Sequence, residues 1–84
     1  MGIDRLTALT IANNADLMEV FTYGPYEGDD PPNEKGKYGG MICWKDHPHH
    51  PGMPLLSAAC TYDSPEMAKA ALETVIEQLK AEFA

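Results

Sequence analysis

The stretch Ser64-Pro65-Glu66-Met67-Ala68-Lys69-Ala70-Ala71-Leu72-Glu73-Thr74-Val75-Ile76-Glu77-Gln78-Leu79-Lys80-Ala81-Glu82-Phe83 decides the fold. Ala68, Ala71, Leu72, Val75, Ile76, Leu79 and Phe83 recur at helical spacing along one stripe, so the segment reads as an amphipathic helix over about residues 65–82. Ser64 supplies a side-chain oxygen for the first unpaired amides, Pro65 suits the first helical position, and Glu66 favours the positive end of the helix dipole. The outer face carries Lys69, Glu73, Glu77, Lys80 and Glu82 and reads as solvated surface. A helix with a single apolar stripe must lay it on something, and the segments upstream supply a sheet.

Pro54–Tyr62 is too short for a stable helix, follows a proline and ends in strand formers, so it reads as a buried strand. Tyr38–Trp44 reads likewise, its paired Gly39 and Gly40 allowing a bulge or a close backbone approach. Leu17–Tyr23 is the third strand, stopped by Gly24-Pro25. Arg5–Ala12 holds Thr7, Thr10 and Ile11, and Asn13-Asn14 offers a turn, so a fourth strand is read there, although Ile3, Leu6 and Leu9 also fit a helical spacing. The expected architecture is α+β, in the order β-β-β-β-α, with the helix packed on one face of a short antiparallel sheet. An antiparallel hairpin about Lys45–Met53 is also expected to be able to bring Cys43 beside Cys60.

Eighty-four residues make one thin core, not two domains. Chains this small often add a disulfide, a metal or a partner subunit. With two cysteines and no signal-peptide pattern in Met1–Leu6, a reducing, cytoplasmic location is expected. No run approaches the roughly 20 apolar residues a membrane span needs, so no membrane role is expected. Thirteen acidic residues against six basic ones give a net charge of −7, and the lysines are scattered. Such a surface repels phosphate backbones and argues against nucleic-acid binding. It favours instead a basic protein partner.

Between the third-strand candidate and Tyr38 lies a long polar loop, at about residues 24–37, with Glu27, Asp29, Asp30 and Glu34. Loops of this length are usually functional or disordered. Pro31-Pro32 interrupts any EF-hand pattern, and the acidic residues read as a surface for a partner. The histidines all fall in Asp46-His47-Pro48-His49-His50-Pro51-Gly52. His47, His49 and His50 with Cys43 or Cys60 form the sharpest ligand-like constellation, suited to zinc, but no Cys-x-x-Cys or finger spacing is present. The expectation is therefore no cofactor, with zinc as the alternative. No phosphate loop or nucleophile-elbow pattern occurs, and cysteines in apolar strands are poor nucleophiles, so no catalytic activity is expected.

One helix covers one face of a sheet. The other face, carrying apolar residues as well, is expected to be an interface, with Phe21, Tyr23 and Trp44 as its anchors. The reading that follows is a non-enzymatic interaction module, a homodimer or an accessory or inhibitory subunit. Tyr23, Tyr38 and Trp44, as stacking platforms, allow the alternative of a single-stranded nucleic-acid binder. The order β-β-β-β-α is similar to that of single-stranded-DNA-binding transcriptional coactivators, a likeness of topology that the acidic charge argues against extending to function. In size and charge the chain also resembles small phage- or plasmid-encoded inhibitors that occupy basic grooves.

Overall fold

A computed structural model describes residues 4–45 and 54–83. The chain runs α1 (Arg5–Asn13), a short 3-10 turn (Ala15–Leu17), β1 (Met18–Tyr23), β2 (Tyr38–Trp44), β3 (Pro54–Tyr62) and α2 (Pro65–Phe83). The three strands form one antiparallel sheet in the order β1-β2-β3. The class is α+β, as read from the sequence.

The fourth strand is corrected. Residues 5–13 form a helix, and the sheet has three strands among the described residues. Asp4 decides this: one carboxylate oxygen accepts the Thr7 amide at 2.8 Å and the other accepts the Thr7 hydroxyl at 3.0 Å. The Thr10 hydroxyl donates back to the Leu6 carbonyl at 2.8 Å. The threonines thus satisfy themselves inside the helix, and their β-preference is overridden. The buried stripe is Ala8, Ile11 and Ala12, while Leu6 is 76% exposed. Asn14 ends the helix, its side-chain amide donating to the Thr10 carbonyl at 2.9 Å. The likeness to the β-β-β-β-α coactivators goes with the lost strand.

At the other end of the chain, the Ser64 hydroxyl accepts the Met67 amide at 3.2 Å and so starts α2 at Pro65. Its buried stripe, Ala68, Leu72, Ile76 and Leu79, meets Met18 and Ile42 from the sheet and Ala8, Ile11 and Ala12 from α1. Both helices therefore lie on the same side of the sheet, α1 beside α2. Gly40 lies directly under α2: a Cβ there would stand 2.6 Å from Leu72 Cδ1, so the helix sits closer to β2 than any side chain would allow.

The two strand pairings differ in regularity. β1 and β2 pair without interruption from Met18↔Trp44 to Tyr23↔Gly39. β2 and β3 pair with shifts on either side of a regular centre, one between Ile42 and Cys43 and one between Tyr38 and Gly40. The second shift leaves residues 59–61 of β3 opposite Gly39 alone, a bulge with Cys60 at its middle. Cys43 faces Pro54, and Cys60 lies near the opposite end of the sheet, so the expected juxtaposition of the two cysteines is not found. Both are free and buried.

Candidate functional site

The site is built by the bulge in β3 and the loop after β1. With no strand partner, the Cys60 amide donates to the Asn33 side-chain oxygen at 2.8 Å, and the Cys60 carbonyl accepts the Glu34 amide at 2.9 Å. At the loop's base, the Tyr26 amide donates to the Lys37 carbonyl and the Gly36 amide to the Tyr26 carbonyl, both at 2.9 Å. Lys37 forms an ion pair with Asp63, which holds the Lys37 ammonium above its ordinary range. Residues 24–37 are thus fastened at the base and at the tip, and the loop forms a fixed surface.

Beneath it stands Tyr23. Its ring crosses β2 at Gly39, where a Cβ would lie 2.9 Å from the ring and 2.5 Å from the Ala58 carbonyl. The passage left open by glycine lets the Tyr23 hydroxyl donate to that carbonyl at 2.6 Å. Burial pushes the Tyr23 phenol above its usual pKa, and the neighbouring Cys60 adds to the rise. The Tyr26 hydroxyl donates to Asp30 at 3.1 Å, a bond that raises the Tyr26 phenol in the same direction.

Together Tyr23, Pro25, Tyr26, Glu27, Asn33 and Cys60 line a surface cleft of about 620 Å³. Its walls are two aromatic rings and a proline, and Glu27 brings a carboxylate into the lining. Asp29, Asp30 and Glu34 lie exposed on the same loop. Flat aromatic faces beside carboxylates attract cationic side chains, which lay their stems on the rings and present their charge to the acids. Neither cysteine has the surroundings of a nucleophile: burial raises the Cys43 thiol above its ordinary range, with Glu19 adding to the effect, and Cys60 is 5% exposed.

Of the residues singled out in the sequence, Tyr23, Glu27, Asp29, Asp30 and Glu34 come together around this loop. Phe21 lies two residues back along β1, 42% exposed, on the sheet face away from the helices. Trp44 does not join them: it pairs with Met18 and packs on the helix-side core. Tyr23 and Trp44 therefore share no face on which bases could stack. His47, His49 and His50 lie outside the described residues. Among the described residues no three His, Cys, Asp or Glu side chains are placed to hold a metal. No described helix is long and apolar enough to cross a membrane. Pro25, Tyr26 and Asn33 were not signalled by the sequence as site residues. The Tyr26-x-x-x-Asp30 spacing within a loop is the one local cue, since it allows the hydroxyl–carboxylate bond that orients the ring.

The chain matches no protein-family model, no curated protein and no solved structure.

Proposed function

We propose that the protein is a non-catalytic interaction module, an accessory or inhibitory subunit that receives a basic segment of a protein partner in the cleft beneath the loop at residues 24–37. The observation that carries this reading is the double fastening of the acidic loop, by Tyr26 to Lys37 at its base and by Asn33 and Glu34 to Cys60 at its tip. An acidic loop held in one conformation presents its charges without paying an ordering cost at each encounter. Lys or Arg side chains of the partner lie against Tyr23 and Tyr26, near Glu27, and the net charge of −7 steers them in.

The test is titration of a panel of short Arg- and Lys-bearing peptides, followed by amide chemical shifts. Shifts confined to Tyr26, Glu27, Gly28, Asn33 and Cys60 are expected, weakening as salt rises and absent in a Glu27→Gln variant. Equal shifts with neutral peptides, or none with basic ones, would sink the proposal.

A further inference from the structure

We infer that the outer edge of β1 is a self-association surface, on which a second copy of the chain pairs antiparallel about Phe21 to continue the sheet from three strands to six. The first observation is the direction of the β1 backbone. The Lys45 amide donates to the Leu17 carbonyl at 2.7 Å, so Leu17 and Lys45 are a hydrogen-bonded pair. In an antiparallel ladder such pairs alternate, so Glu19, Phe21 and Tyr23 also turn their amides and carbonyls toward β2. Met18, Val20 and Thr22 turn theirs away from the sheet. The Met18 amide is taken by the Ala15 carbonyl. The amides and carbonyls of Val20 and Thr22 have no backbone partner among the described residues.

The second observation is the lack of protection along this edge among the described residues. Natural sheets blunt open edges with proline, lysine, bulges or covering segments. β3, at the opposite edge, begins with Pro54 and is interrupted by two register shifts. β1, Met18-Glu19-Val20-Phe21-Thr22-Tyr23, has no proline, no lysine and an uninterrupted register, and its one charge, Glu19, lies near the start of the strand and away from Phe21 and Thr22.

The third observation selects a second copy as the occupant and fixes its register. Val20 and Thr22 are the β1 residues with both backbone groups unpaired among the described residues, and pairing Val20 with Thr22 of the other copy, in both directions, uses all of them. The twofold axis then passes beside Phe21, which meets its counterpart at a non-hydrogen-bonded position, where facing side chains are closest. Phe21 is the large apolar side chain of β1 that the monomer leaves 42% exposed, and Met41 flanks it on β2. The two copies would form an unbroken Met41–Phe21–Phe21–Met41 row across the joined sheet. A slip that centres the pair on Glu19 would oppose two carboxylates and is disfavoured. Between β1 and α2 the edge opens into a groove of about 450 Å³ with Met18, Val20 and Ile76 beside Lys45, Lys69, Glu19, Glu73 and Glu77. Lys45 and Lys69 offset two of the three carboxylates in this groove, which limits the repulsion between two chains that each carry −7.

Sedimentation equilibrium of the full chain tests the inference, together with two variants. Thr22→Pro removes one outward amide and places a ring in the partner's path, at an edge position where proline is compatible with the fold. Phe21→Cys places thiols across a non-hydrogen-bonded pair, whose spacing of about 4.5 Å between Cα atoms suits a disulfide. The expected results are a dimer that strengthens with salt, a monomeric Thr22→Pro variant with unchanged far-ultraviolet circular dichroism, and an oxidised Phe21→Cys dimer whose cross-link maps to position 21 in both chains. Salt weakens the proposed binding of basic peptides, so the two readings fail separately. A wild-type chain that stays monomeric up to about 1 mM, the weak end of the affinity scale, overturns the inference. A folded Thr22→Pro variant that still dimerises, or a cross-link through Cys43 or Cys60 instead, does the same.

Discussion

Gly39→Ala is the substitution that most directly probes how the cleft is held. The new Cβ would stand 2.5 Å from the Ala58 carbonyl oxygen and 2.9 Å from Tyr23 Cε1. One neighbour is backbone, and the other is a ring pinned by its own hydroxyl, so neither yields cheaply. Overpacking of this kind costs about 1–3 kcal/mol. Displacing Tyr23 also forfeits its 2.6 Å bond to the Ala58 carbonyl, a partly buried interaction worth about 1 kcal/mol. The sum is about 2–4 kcal/mol, against a total of about 4–12 kcal/mol for a domain of this size. At about 4–8 °C per kcal/mol, the melting temperature should fall by roughly 10–30 °C. The assay is urea denaturation of a double-mutant cycle with Tyr23→Phe. Alone, Tyr23→Phe should cost about 1 kcal/mol; in the Gly39→Ala background it should cost almost nothing, because the bond is already lost. Gly39→Ala within about 0.5 kcal/mol of wild type, the range of an ordinary surface change, or strict additivity of the pair, would refute the account of Tyr23.

Three further outcomes are expected. The Asp4 carboxylate is held below its ordinary value of 3.8 chiefly by the Thr7 amide, so its contribution is complete above pH 3.8 and is lost as pH falls through the lower folded value; Asp4→Asn keeps a capping oxygen and should flatten thermal stability over that acid range, as melts in graded buffers will show. Asn33→Ala leaves the Cys60 amide without its acceptor, and should cost about 1 kcal/mol while the Cys60 amide exchanges faster with deuterated solvent than its neighbours in β3; unchanged exchange would mean the loop is held by other contacts. Ile42→Ala removes a side chain with 0% exposure from the centre of the core, and chemical denaturation should report a loss of about 2–5 kcal/mol.

α2 and the three strands were legible in the sequence because each carries its own local signal. The cap at Ser64, the stripe through Leu72 and Ile76 and the breaker at Gly24-Pro25 act over a few residues and agree with the final packing. α1 was misread because its signal is weak in apolar residues: its buried stripe is two alanines and one isoleucine, while its more prominent Leu6 faces solvent. The Asp4–Thr7 cap was the readable clue. The place of Trp44 on the helix side is hidden from the sequence for a different reason. Alternation sorts residues within a strand, but which face the helices cover depends on Gly40 receiving Leu72, a contact between distant parts of the chain. The acidic half of the candidate site was visible as composition. Its geometry was not, because the bulge at residues 59–61 follows from a register shift that no local pattern announces. The same shift leaves Cys60 free to hold Asn33 and Glu34.

That tie between Asn33, Glu34 and Cys60 also sets a time at which the cleft first exists. The loop at residues 24–37 leaves the ribosome well before the strand that fastens it, and the bond between residues 33 and 60 spans 27 positions. Until β3 has emerged and paired with β2, the local bonds around Tyr26 hold only the base of the acidic segment, and its far limb lacks the Cys60 backbone on which to dock. A basic partner that requires the formed cleft would therefore pass over nascent and half-folded chains and engage only those whose sheet is complete, so that binding would itself serve as a check on finished synthesis.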